Sequence, residues 1–373
     1  MTSTPVLADR DALAALAESQ RALIASLQHP SGAYPASPTF SAYRGYSWFR
    51  DGAFIADAMS AAGENASAEA FFGWCARVIT ERADDVRRIV AAERAGSPLP
   101  DADMLPTRFT LDGEKGADEW WDFQLDGYGL WLWALGEHVA RTGVPTDRWI
   151  EAVALTVDYL ESSWRRPCYD WWEEHIEQVH VSTLGSVLAG LRAAAALPGL
   201  DAATAERAIL AASDVDARMR AEGVRDGHLV KWIGADAVDA SLAALVGPLE
   251  AVDPGEPLAL STLEELEKDL VVDGGMHRFR ADTYFGGGQW PLLSCMLGIA
   301  WSRAGRPERS AELLRWAAST AHDGGIPEQV ERHLLDPSYV AQWVERWGPS
   351  ADPLVWSSAM FLRLAVELEV VSA

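Results

Sequence analysis

Apolar residues recur along this chain at intervals of three and four, with hardly any strict alternation, so the spacing predicts helices almost throughout. Leu13, Leu16, Leu23, Ile24 and Leu27 form one buried stripe, and His29-Pro30 ends it. Similar segments are predicted at 51–62, 66–95, 125–142, 146–164, 181–197, 201–222, 236–246, 257–271, 288–304, 306–321 and 354–369. That makes twelve helices.

The connections alternate between short and long. Gly63-Glu64-Asn65, Gly143-Val144-Pro145, Pro198-Gly199-Leu200 and the single Gly305 are tight turns, whereas 29–50, 96–124, 165–180, 223–235, 272–287 and 322–353 are long. Helix hairpins closed by tight turns place every tight turn at one end of an array and every long loop at the other. Six hairpins in a ring give an all-α (α/α)6 barrel of twelve helices, with the active site expected on the long-loop face. An open superhelix of helix pairs also stacks hairpins, but no repeat of fixed period runs through the chain. Residues 1–373 are therefore read as a single domain.

Composition narrows the function. A net charge of −24 repels phosphate backbones and anionic headgroups, which excludes nucleic acid and membrane surfaces as partners. No stretch reaches the ~18 apolar residues of a membrane span, and Met1 to Arg10 lacks the basic and apolar regions of a leader. Three cysteines, far apart and without metal-type pairing, fit a reducing compartment, so the expected location is cytoplasmic. Seventeen tryptophans are many for this length, and indoles serve either to fill a core or to stack on sugars, bases and cations.

The long loops hold the candidate chemistry. Trp48-Phe49-Arg50-Asp51 runs directly into a helix, where Arg50 and Asp51 offer a donor fork and an acceptor to vicinal hydroxyls; the same residues also fit an ordinary helix N-terminus. Trp120-Trp121 either caps the barrel or lines a cavity. In Asp170-Trp171-Trp172-Glu173-Glu174, a carboxyl held against an indole is desolvated, which favours its protonated form and suits a general acid. His175 and His180 match no familiar metal-ligand spacing, and no metal or cofactor is expected. Gly286-Gly287-Gly288 lacks the strand and the Lys-Ser/Thr of a phosphate loop, so close backbone approach to a ligand or a flexible helix start explains it better. Glu328, in the last long loop, is a second isolated carboxyl on the face of Glu173. Two carboxyls flanking a sugar are what glycoside hydrolysis requires. Nucleophilic-serine and zinc-protease signatures are absent from the sequence.

Five of these motifs, in order, resemble glycoside hydrolase family 15, the glucoamylase and glucodextranase group, across most of the chain and without that group's β-sandwich domain. Trp48-Phe49-Arg50-Asp51 is similar to the family's Trp-x-Arg-Asp. The run 170–174 resembles the loop that supplies the general acid, here Glu173, with Glu174 at a substrate-binding position. Arg278 through Asp282, Tyr284 and Trp290 resembles the Arg-Tyr-Pro-x-Asp-x-Tyr segment with its later Trp, although Arg280 replaces the proline. Glu328-Gln329 resembles the pair containing the general base, and Trp356-Ser357-Ser358-Ala359 the Trp-Ser-x-Ala that opens the last helix. The resemblance implies an (α/α)6 barrel, no cofactor, inversion, and substrate contacts from Trp48, Arg50, Asp51, Trp120, Trp172, Glu174, Arg278 and Trp356.

The expected activity is therefore hydrolysis of a small-molecule oligosaccharide, with β-glucose released from the non-reducing end. Short α-1,6-linked substrates such as isomaltose come first, because no separate starch-binding module is present. The alternatives are a trehalase or glucoamylase of the same family, and a non-catalytic oligosaccharide-binding barrel.

Overall fold

The computed structural model describes residues 9–372; residues 1–8, on which most of the leader-free reading rests, lie outside them. The described chain forms α1 (Arg10–Leu27), α2 (Phe49–Ala61), α3 (Asn65–Thr80), α4 (Ala83–Arg94), α5 (Asp126–Thr142), α6 (Ile150–Ser163) and α7 (Val181–Ala195). It continues through α8 (Ala202–Glu222), α9 (Leu242–Val246), α10 (Pro257–Leu270), α11 (Pro291–Arg303), α12 (Pro307–Ala318), α13 (Val340–Trp347) and α14 (Val355–Glu367).

Six of these helices carry apolar or small residues on every side and are buried over most of their length: α2, α5, α7, α9, α11 and α14. Each packs on the next in that order, and α14 returns to α2, so the inner ring closes. Helices α1, α3, α6, α8, α10 and α12, each buried on one side only, pack outside it. This is the expected (α/α)6 barrel. Small residues set its tightest crossing, where a Cβ on Gly190 of α7 would stand 2.2 Å from the Gly129 carbonyl oxygen of α5. Every inner helix follows a long connection, so the amino ends of the ring meet at the long-loop face. There the macrodipoles favour negative charge.

Four predicted elements differ. The segment 66–95 divides into α3 and α4 because the Thr80 hydroxyl bonds back to Ala76 and the Arg82 side chain reaches Val78 and Gly113 carbonyls, ending one helix before the next begins. Only Leu242–Val246 of 236–246 is helical, since Asp239 turns the chain by accepting from the Ser241 amide and hydroxyl. The helix predicted from 288 starts at Pro291, because Gln289 pairs as a strand with Val330. Helix α13 lies inside what reads as the last long loop. A short strand pair also braces the loops: β1 (Tyr46–Trp48) pairs antiparallel with β2 (Arg108–Thr110), which follows α4, setting Trp48 opposite Arg108.

The end of the ring opposite the long loops is held by charge. Asp57 of α2 is buried and accepts from Arg141 of α5 and from Arg363 of α14 (3.1 Å), and Arg363 also bonds Glu367 (2.8 Å). Burial alone would raise the Asp57 carboxyl, but the two guanidiniums outweigh it and hold it below the usual carboxylate range. Asp57→Ala leaves Arg363 buried with less compensation, and the expected loss is about 3–5 kcal/mol of stability. Thermal unfolding should show it as a lowered Tm, with KM unchanged in the protein that remains folded. In the wild type this contribution is complete above the ordinary aspartate range and fades as pH falls through the depressed value. The Tm difference between wild type and variant should therefore shrink in strong acid.

Candidate active site

One cavity of about 190 Å³ opens at the long-loop face, and all ten residues singled out from the sequence line it: Trp48, Arg50, Asp51, Trp120, Trp172, Glu173, Glu174, Arg278, Glu328 and Trp356. Its floor is built from the first turns of inner helices. Arg50 and Asp51 open α2 and Trp356 opens α14; all three are buried. Arg50 donates to Gln124 and to Asp126 (3.1 Å) and stands 3.4 Å from Asp51. Burial, offset in part by Arg50 and reinforced by the charges of Glu173, Asp126 and Glu328, brings Asp51 up to about 7.

One wall carries Glu173, which takes a positive φ of 66° at the tip of a tight turn. Asp170 forms that turn: its Oδ1 accepts from the amides of Trp172 and Glu174 (both 2.9 Å), and its carbonyl accepts from the Glu173 amide (3.1 Å). Behind the turn, buried Lys231 lies 3.2 Å from Asp239 and 3.8 Å from Asp170, and Asp239 accepts from the Trp172 indole at 3.0 Å. The Trp48 indole N–H donates to Glu173 Oε1 at 2.7 Å. Trp48 in turn meets Trp120 edge to face, and Arg108, paired to Asp118, covers the Trp120 ring at 4.1 Å. Trp120 is thus linked to the Glu173 turn through Trp48. Glu174 is half-buried, with its carboxyl raised by burial against the pull of Arg278 at 3.4 Å.

The facing wall carries Glu328, which is buried. Tyr43 donates to its Oε1 and Ser350 to its Oε2, both at 2.9 Å. Burial raises its carboxyl, while these two hydroxyls pull the other way. Tyr284, 3.1 Å from the Tyr43 hydroxyl, extends this cluster toward Arg278, whose partner Asp282 lies on the same loop. Gly288, the last of the glycine run, has a structural explanation here. A Cβ on Gly288 would meet Gln329 Oε1 at 2.5 Å and the Val330 carbonyl at 2.6 Å, so the close approach is to the strand that follows Glu328, not to a ligand. His175 and His180 follow the Glu173 turn: His180 Nε2–H donates to the His175 carbonyl at 3.0 Å, and burial lowers the His180 pKa to about 4.

Several buried polar atoms around the cavity have no hydrogen-bond partner among the described residues, including the indole N–H groups of Trp171, Trp290 and Trp356, while Arg50 Nε and Asp51 Oδ1 meet only each other, beyond good hydrogen-bond reach at 3.4 Å. Unsatisfied donors and acceptors beside indole rings suit a ligand with many hydroxyls and apolar ring faces. Tyr43, Gln124, Asp126, Asp239, Lys231 and Ser350 were not singled out from the sequence. Gln124 and Asp126 lie within five residues of the flagged tryptophan pair, whereas Tyr43 and Ser350 are isolated polar residues with no local signature.

The sequence profile of glycosyl hydrolases family 15 matches residues 10–323. The chain belongs to that family. It is a glycoside hydrolase, and the barrel and the paired carboxyls are what such an enzyme needs. An isomaltose glucohydrolase from Kribbella flavida is 50% identical over 355 residues, spanning 95% of this chain and 92% of the relative. A solved glycosidase in complex with glucose is 47% identical and superposes with a TM-score of 0.96 over 98% of this chain and 100% of that one. A bacterial glucoamylase complexed with acarbose shares the fold, with a TM-score of 0.75 at 19% identity over 97% of this chain and 56% of its own. No helix among the described residues is long and apolar enough to cross a membrane.

Proposed function

We propose that this enzyme is an exo-acting, inverting α-glucoside hydrolase of short α-1,6-linked gluco-oligosaccharides such as isomaltose, working in the cytoplasm as a single catalytic domain. Glu173 is the general acid and Glu328 the general base. The observation that carries the reading is the contrast between the two carboxyls across one cavity. Glu173 has Oε1 held by an indole N–H, which leaves Oε2 to deliver a proton to the glycosidic oxygen. Glu328 has both oxygens fixed by hydroxyls that orient it toward a water. Arg50 and Asp51 at the buried floor grip the non-reducing glucose, Trp172, Glu174 and Arg278 flank the bond, and Trp356 closes the base of the pocket. The likeness to an isomaltose glucohydrolase supports the linkage, and three buried, unpaired cysteines support a reducing compartment.

Inversion requires carboxyls separated by ~6.5–9.5 Å, so that water fits between base and sugar. The expected first product is β-glucose. Proton NMR of a fresh digest of isomaltose should show the β anomer first and the α anomer only as mutarotation proceeds; initial α-glucose would exclude the mechanism. Comparing kcat/KM for isomaltose, maltose, trehalose and soluble starch tests the linkage. A clear preference for starch or trehalose would make the enzyme a glucoamylase or trehalase instead.

A further inference from the structure

The cavity has a closed floor and an open mouth, and the mouth is crossed by α13, the helix that the spacing of long and short loops did not reveal. Chains of hydrogen bonds and ring contacts run to it from both carboxyls. From Glu173 the path is Trp48, then Trp120, then Trp347 at 6.2 Å; from Glu328 it is Tyr43, then Tyr284, then Trp343 at 5.0 Å. No residue of the helix is fully buried; Trp343 and Trp347 rest partly exposed on the rim of the core, where their outer ring faces remain open to the cavity. Trp343 is fixed by donating its indole N–H to the Thr283 carbonyl (2.9 Å). The Arg346 guanidinium sits over three indoles, at 4.9 Å from Trp347, 5.6 Å from Trp343 and 5.8 Å from Trp121. It has no ion pair or hydrogen bond with any described residue, whereas Arg50 and Arg278 deeper in the cavity are both bound to carboxylates. Trp121, at 36% exposure, faces the same opening.

An exo-acting enzyme holds the non-reducing sugar at the closed end, so the leaving sugar lies at the open one. We propose that Trp121, Trp343, Arg346 and Trp347 are specificity-determining residues that bind the leaving sugar. The indoles cover the apolar face of its ring, and the guanidinium, pre-oriented by the rings around it, donates to its hydroxyls. This deepens the proposed function and rests on it. An α-1,6 bond contains an additional rotatable carbon, which lets the second ring swing flat against a wall that stands to one side of the cleavage point. The four carboxyl side chains that line the pocket, Asp51, Glu173, Glu174 and Glu328, make a neutral leaving group the fitting partner for Arg346 rather than an anionic one.

The test compares isomaltose with α-glucosyl fluoride, whose leaving group is a single atom that cannot touch α13. In the Arg346→Ala/Trp347→Ala variant, kcat/KM for isomaltose should fall by about tenfold or more, while the value for the fluoride stays within about threefold of wild type. The fluoride also reports whether the barrel has folded. Equal losses on both substrates would make α13 a structural brace, and unchanged values on both would leave the leaving sugar elsewhere; either result overturns the inference. If wild type cleaves maltose in place of isomaltose, the linkage reading falls by itself, and the same comparison with maltose decides the role of α13.

Discussion

Glu328→Ala is expected to lose nearly all hydrolysis of isomaltose, by about 10²–10⁴-fold in kcat, while still binding glucose. The carboxyl is buried and accepts from Tyr43 and Ser350, so its two oxygens are fixed before substrate arrives. Removing it leaves both hydroxyls at the wall of a cavity where water can replace the lost acceptor, so the fold should survive. The Arg50 and Asp51 floor is untouched, and calorimetric titration with glucose should give a similar Kd. Burial raises Glu328, and a general base must be ionised to work. The acidic limb of the wild-type kcat/KM profile should therefore lie above the ordinary glutamate value of about 4.3, with activity lost as pH falls through it. A variant that keeps wild-type kcat would remove Glu328 from the base role, and one that also loses glucose would assign it to binding.

The barrel was legible in the sequence because its two signals are local. Stripes such as Leu13 to Leu27 mark helices, and glycine turns such as Gly305 mark the closed end. The breaks were less legible because their causes are tertiary: Arg82 leaves its helix to bond Gly113, and Asp239 gives up helical geometry to meet Lys231 and Trp172. Helix α13 did carry a signal, with Val340, Trp343, Val344 and Trp347 at three-four spacing, but the dense polar surroundings of 322–353 concealed it. Within the site, side chains in contiguous motifs could be read and single supporting residues could not. Glu173 stands in a run of aromatic and acidic residues, whereas Ser350 reaches Glu328 from an otherwise unremarkable stretch. Gly288 was noticeable for a reason the sequence does not contain, since the Val330 carbonyl it approaches lies some forty residues later.

Glu173→Gln should separate the proton-donating role from every other role of that side chain. Glutamine keeps the length of glutamate, and its amide oxygen can still accept from the Trp48 indole that holds Oε1 at 2.7 Å. The Asp170 turn bonds only backbone amides, so the positive φ of 66° at residue 173 is held as before. What disappears is the acidic proton. A departing sugar alkoxide is a poor leaving group, and its protonation by a positioned acid contributes about 10²–10⁴-fold in rate. The variant should lose that much in kcat/KM on isomaltose. Aryl glucosides and α-glucosyl fluoride leave with little or no protonation, so on these the loss should be smaller by at least an order of magnitude, about 1.4 kcal/mol in the barrier. The contrast depends only on the leaving group, because the glucose held by Arg50 and Asp51 is the same in all three substrates. Equal losses across the series would show that Glu173 orients or binds the sugar, and the acid would then have to be sought at Glu174, the other carboxyl on that wall.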